Sequence, residues 1–101
     1  MLRVRSTELP SDNSLSKRIR LSKHAEGYRE IRGFSSQEVV SAIQTAKWKH
    51  AEYGKNRYEC SIEVVYDQDW NGKYYGTKRI RPIFEERDLE IVVITVYTYY
   101  Y

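Results

Sequence analysis

From Arg57 the chain alternates. Tyr58, Cys60, Ile62, Val64 and Tyr66 are interleaved with Arg57, Glu59, Ser61 and Glu63. A period of two is the signature of a half-buried strand. Asn71-Gly72 follows, and both residues accept the positive φ of a tight type I′ turn, so a hairpin is predicted there. Its second strand runs from Lys73 to about Phe84, Glu85 to Asp88 form a turn, and a third strand covers Leu89 to about Tyr99. Pro82 has no amide to donate, which predicts that the second strand is irregular or lies partly at an edge.

Upstream of Arg57 the period is helical. Ser22 is placed to cap a helix from Lys23 to about Arg32, with Leu21, Ala25 and Tyr28 on one stripe and His24 and Ile31 at its border. Gly33 stands where a helix ends in the left-handed conformation. Ser35 and Glu38 have the spacing of a capping box, predicting a second helix from Ser36 to about Lys47 that buries Val39, Val40, Ile43 and Ala46. Residues 1–17 are polar and aperiodic, with Pro10 and the cluster Ser11-Asp12-Asn13-Ser14, and read as a flexible basic arm before a single domain over 18–101. The predicted fold class is α+β, with two N-terminal helices packed on a three- to four-stranded antiparallel sheet.

Composition narrows the function. At 101 residues the chain has room for one modest core. Cys60 is the only cysteine, which excludes an intrachain disulfide. With His24 and His50 it offers no metal-ligand spacing, and no Gly-rich phosphate loop is present, so neither metal nor cofactor is expected. No apolar run reaches the length of a bilayer span and the basic N-terminus lacks the apolar segment of a secretory signal. The expectation is a cytoplasmic protein without a membrane partner.

Charge and aromatic residues carry the rest. Residues 1–20 hold five basic and two acidic side chains, a net of +3 that equals the net charge of the whole chain. Residues 71–84 hold Lys73, Lys78, Arg79 and Arg81 and no acid, which favours a local basic patch. If the last two strands pair, alternation sets Thr77, Arg79 and Arg81 on one face. The same rule groups Ile91, Val93, Thr95, Tyr97 and Tyr99 along the closing strand. A face of guanidinium groups and tyrosine rings suits a flexible, phosphate-bearing ligand, RNA first among them.

Certain residues also resemble a known pattern. Ser22-Lys23-His24-Ala25, then Arg29, Arg32-Gly33-Phe34-Ser35 and Glu38-Val39, then the strand Ile94-Thr95-Val96-Tyr97, resemble a bacterial domain family of unknown function. That family is similar in layout to the RelE and BrnT toxins, small ribonucleases of toxin–antitoxin pairs. The resemblance covers roughly residues 20 to 98. It implies a RelE/BrnT-like fold, RNA cleavage and a neutralising antitoxin protein. The chain departs from many RelE-type toxins in ending on tyrosines with no further helix.

Each candidate residue has two readings. His24 is a candidate acid or base for a ribose 2′-hydroxyl or a leaving oxygen, or else a helix residue packed on the sheet. Arg79 and Arg81 either bind the scissile phosphate or pair across strands with Glu59 or Glu63. Arg29 and Arg32 complete a basic rim beside His24 or are surface charge, and Lys78 belongs to the same acid-free run. Tyr97, with Thr95 on its face, either stacks on a base and donates a proton or covers the edge of the core. The catalytic candidates are thus His24, Arg79, Arg81 and Tyr97, and the nucleic-acid-binding candidates Arg29, Arg32, Lys78 and Thr95. Together they describe a toxin-like, RNA-directed protein acting as a metal-independent endoribonuclease. The alternative is a non-catalytic protein-interaction module that uses its C-terminal strand, an edge rich in β-formers.

Overall fold

The computed structural model describes residues 17–52 and 54–101. The strands are β1 (Arg18–Leu21), β2 (Lys49–His50), β3 (Arg57–Glu59), β4 (Ile62–Trp70), β5 (Lys73–Glu86) and β6 (Glu90–Tyr100). Three short helices, α1 (Lys23–Gly27), α2 (Arg29–Arg32) and α3 (Ser36–Thr45), lie between β1 and β2. The strands form one mixed sheet in the order β1-β6-β5-β3-β2, with β4 also paired to β5.

This corrects the expected fold class. In place of two N-terminal helices on a three- to four-stranded antiparallel sheet, the described residues form six strands, and the first of these precedes the described helices. β1 pairs parallel to β6, from Arg18 opposite Glu90 to Leu21 opposite Val93. A four-residue strand whose partner is some seventy residues away leaves little periodic trace, and its Leu21 was readable as a helix residue. The arm expected over residues 1–17 lies, apart from Lys17, outside the described residues; Lys17 Nζ is 3.0 Å from Glu86 Oε2.

β5 is the axis of the sheet. Asn71 (φ 51°) and Gly72 (φ 86°) close the β4–β5 hairpin with the two positive φ values that a type I′ turn requires. Thr77 and Tyr101 exchange both backbone hydrogen bonds, at 2.8 and 3.0 Å. By antiparallel alternation, the pairs Arg79–Tyr99 and Arg81–Tyr97 then face each other in the same way. Pro82 therefore turns its amide-less nitrogen toward the opposite neighbour, and there the strand expected from Arg57 to Tyr66 is interrupted at Cys60-Ser61. Only Cys60 N to Pro82 O, 3.4 Å, bridges that gap.

β6 contains a bulge that reassigns its faces. Ile83 is opposite Thr95 and Phe84 opposite Val93, so Ile94 is the extra residue. Ile91 and Val93 consequently point toward the helices, while Thr95, Tyr97 and Tyr99 point away. The single-face grouping expected for these five residues is split at Ile94.

The helices cover one face. Ser22 Oγ accepts from Ala25 N (3.1 Å) to start α1, and Gly33 ends α2 at φ 78°. Between them Tyr28, at φ −99° and ψ 1°, interrupts the one helix expected from Lys23 to Arg32. The Ser35–Glu38 capping box forms as expected, at 3.0 and 3.1 Å. Ala25, Phe34, Val39, Ala42 and Ile43 pack on Cys60, Ile80, Phe84, Ile91, Val93 and Val96 to make the core. Trp48 packs edge-on against Phe84 (centroids 4.8 Å apart) and donates from Nε1 to Ile43 O. Fully burying side chains of this kind contributes roughly 1.5–3 kcal/mol each. No described helix is long and apolar enough to cross a membrane.

Candidate functional site

The sheet face opposite the helices carries the chemistry. β5 presents Thr77, Arg79 and Arg81 there, β6 presents Thr95, Tyr97 and Tyr99, and β3 and β4 contribute Glu59 and Glu63. Register makes the contacts. Arg79 lies opposite Tyr99, with its guanidinium carbon 5.5 Å from the ring centroid. Arg81 lies opposite Tyr97, also at 5.5 Å, and donates from Nη1 to the Tyr99 hydroxyl at 3.1 Å. Tyr97 and Tyr99 remain 37% and 39% exposed, so both rings are held by arginines yet open to solvent.

Arg32 extends the array over the edge of β6. Its Nη1 donates to Val96 O (2.9 Å) and Thr95 Oγ1 (3.3 Å), which ties α2 to the strand. The guanidinium carbon lies 3.9 Å from the Tyr28 centroid and 5.0 Å from that of Tyr97. The His24 ring follows, 4.9 Å from Tyr28. His24, Tyr28 and Arg32 are spaced by four residues, so α1 and α2 set them on one side. Rings and guanidinium groups thus alternate from Tyr28 through Arg32, Tyr97, Arg81 and Tyr99 to Arg79, with the His24 ring added beyond Tyr28.

Charge pairing divides the face into two regions. Toward the β5–β6 turn three arginines have a carboxylate, Arg20–Glu90 at 2.9 Å, Arg87–Glu85 at 2.8 Å and Arg57–Glu85 at 3.9 Å, while Arg18 has no ion pair among the described residues. Arg81 is also paired, its Nε 2.8 Å from Glu59 Oε1. The hydrogen bond from Arg81 holds the Glu59 carboxyl below its ordinary range and raises the guanidinium's own pKa. Tyr101 donates to Glu63, which raises the pKa of that phenol. Arg79 has Glu63 as its other cross-strand neighbour but forms no ion pair with it. Among the described residues, Arg32 and Arg79 are the arginines of this array without a carboxylate partner. They are placed to meet an anion.

The expected site residues are only partly brought together. Arg79, Arg81, Tyr97, Thr95 and Arg32 converge on one surface. Lys78, expected among the binding residues, lies on the helix side, 7% exposed, with Nζ 2.8 Å from Glu38 and 2.9 Å from Gly33 O. Alternation along β5 requires that separation from Arg79. Arg29 pairs with Glu26 at 2.7 Å on the exposed side of its helix. His24 joins the array at its far end, with Tyr28 and Arg32 between it and Tyr97.

Other groups contribute no chemistry here. Cys60 is buried, bonded to Ala42 O, and burial pushes its thiol up to about 12. A shallow cleft is lined by Lys17, Arg18, Arg87, Asp88, Leu89 and Glu90; its Lys17 and Arg87 are already paired with Glu86, Glu85 and Glu90. No group of three or more His, Cys, Asp or Glu among the described residues has the arrangement to hold a metal.

Tyr28 is the member that sequence reasoning did not place, having read it as a core residue. Its signal was the fourfold spacing His24, Tyr28, Arg32. Tyr99, grouped along the closing strand but not named among the site candidates, is fixed between Arg79 and Arg81. Comparison of the chain with family models, curated proteins and solved structures found no match.

Proposed function

We propose that the chain is an RNA-directed protein whose helix-free sheet face binds single-stranded RNA. One observation carries the reading: two half-exposed tyrosines, Tyr97 and Tyr99, flanked by two arginines, Arg32 and Arg79, that have no carboxylate partner among the described residues. Tyr97 and Tyr99 are two residues apart on a strand, about 6.8 Å at ~3.4 Å per residue. Bases splayed from a flexible strand can each take one ring, and the guanidinium groups meet the phosphates between them. A duplex, with its bases stacked inward, offers no such π-faces.

Cleavage is a separate step within this reading. In such a transphosphorylation the 2′-hydroxyl would attack phosphorus as its proton passes to water or to His24. The bond to the 5′-oxygen would break as that oxygen takes a proton from Tyr97, and Arg79 and Arg81 would offset charge on the phosphorane. His24 is reached only by RNA that extends past Arg32. Total cellular RNA incubated with the protein in EDTA, with and without ribosomes, tests this. Discrete products lost in Arg79→Ala and His24→Ala mean a metal-independent endoribonuclease. RNA retained on the protein but intact means a binding module. RNA neither bound nor cut refutes the proposal.

A second reading rests on the edge of β6. β1 covers only Glu90 to Val93, and Ser22 and Arg32 occupy the carbonyls of Val93, Ile94 and Val96. By the alternation fixed at Tyr101, Thr98 and Tyr100 direct their backbone groups outward. An extended segment of a protein partner, such as an antitoxin, would add a strand there. Such a partner strand would protect the backbone amides of Thr98 and Tyr100 from hydrogen exchange, and unchanged exchange in the partner's presence would contradict this reading.

A further inference from the structure

The alternating array does not stop at the sheet. Arg32 leaves the helix layer, crosses the β6 edge and stands between Tyr28 and Tyr97, at 3.9 and 5.0 Å from their centroids. Its Nη1 is committed to Val96 O and Thr95 Oγ1, which fixes the plane of the group. Beyond it Tyr28 is half-buried and held against the core, while His24 on its outer side is exposed. The His24 and Tyr28 rings are tilted by 58°, so the imidazole leaves part of its own face to solvent. This geometry is that of a further stacking position, reached from Tyr97 by passing one fixed cation.

Resting on the RNA-binding reading, we infer that the binding track runs across the β6 edge, from Arg79 and Tyr99 over Tyr97 and past Arg32 to a terminal base site at His24. The site is specific for single strands because a path that leaves the sheet plane and turns onto a helix cannot follow a regular duplex. Charge supports this direction over the opposite one. Beside Arg79 the face carries the carboxylate of Glu63, which accepts from the Tyr101 hydroxyl and repels phosphate. Toward the helices it continues through an arginine with no carboxylate partner among the described residues. In this role His24 acts through its ring and not through its proton.

Fluorescence anisotropy with fluorescein-labelled oligouridylates of two to eight nucleotides tests the path, using the full chain and His24→Ala and His24→Phe variants. His24 is exposed, and thermal melts confirm that each variant is folded. The expected result is equal affinity of His24→Ala and wild type for the shortest oligomers. For the longer ones His24→Ala binds about fivefold or more weakly, as loss of one ~1–3 kcal/mol stacking contact requires, and His24→Phe restores the affinity. Unchanged affinity of His24→Ala at every length would overturn the inference while leaving binding on the sheet intact. Failure of the wild type to bind any oligomer would refute the function itself. A loss that His24→Phe does not restore would assign His24 a hydrogen-bonding role and equally overturn the stacking site.

Discussion

Arg79 lies over the ring of Tyr99, 5.5 Å from its centroid, although its other cross-strand neighbour is the carboxylate of Glu63. One strand-step away, Arg81 makes the opposite choice and bonds Glu59 at 2.8 Å. The two arginines, equivalent in sequence pattern, therefore differ in what they leave available. Arg81 builds the surface and Arg79 is free for a ligand.

That difference predicts distinct phenotypes. Arg79→Ala should weaken binding of single-stranded RNA and lower the slope of log Kd against log salt by about 0.7, one phosphate contact's worth, with the melting temperature little changed. Arg81→Ala should lower both affinity and stability, since it leaves the mostly buried Glu59 without its partner. Titrations at several salt concentrations, beside thermal melts, check both.

Glu59 gives a pH signature. Its carboxyl is held below the ordinary value of 4.5 by Arg81, so the pair's contribution is complete above that value and is lost as pH falls through the lower, folded-state pKa. Stability should decline on acidification below about pH 4.5, and Glu59→Gln should remove part of that decline. At pH 7 the substitution should cost about 1 kcal/mol, the upper end for a surface pair, because the carboxylate side chain is only 13% exposed. Urea unfolding of both proteins at neutral pH and at a series of acidic pH values checks the sign.

Lys78 should behave as a structural residue. Lys78→Met removes its bonds to Glu38 and Gly33 O on the helix side and should lower stability by about 1–3 kcal/mol. RNA affinity of the folded variant should be unchanged. Weakened binding without loss of stability would contradict the assignment of Lys78 to the interior.

Gly33 is predicted to be intolerant for two reasons. Its φ of 78° is left-handed, and a Cβ there would stand 2.5 Å from Trp70 Cη2 and closer still to the Tyr100 hydroxyl. Trp70 is itself stacked on Tyr100, centroids 4.8 Å apart. Gly33→Ala should cost about 2–4 kcal/mol, combining the left-handed penalty with overpacking. A shift of the urea midpoint measures it.

What was legible in the sequence was local. Ser22, Gly33, the Ser35–Glu38 box and Asn71-Gly72 each act through neighbours within a few residues, and each forms as its chemistry requires. What was not legible depended on distant pairing. β1 exists because β6 offers it an edge, the break at Cys60-Ser61 answers the missing amide of Pro82, and the bulge at Ile94 sends Tyr97 and Tyr99 to the open face. The expected arrangement of two N-terminal helices on a three- to four-stranded antiparallel sheet failed at that level. The site was half legible for the same reason: alternation along β5 set Arg79 and Arg81 on one face, and the fourfold spacing grouped His24, Tyr28 and Arg32, but nothing in the sequence announced that Arg32 reaches over the β6 edge.

The central claim is that the arginine–tyrosine face binds single-stranded RNA. Anisotropy titration of a labelled oligouridylate, with wild type, Tyr97→Phe, Tyr97→Ala and a Tyr74→Ala control on the exposed β4–β5 hairpin, tests it most directly. Near-wild-type affinity is expected for Tyr97→Phe and Tyr74→Ala, and a loss of about 1–3 kcal/mol for Tyr97→Ala, the worth of one stacked base. Equal affinity for Tyr97→Ala and wild type, or no binding by wild type, would contradict it.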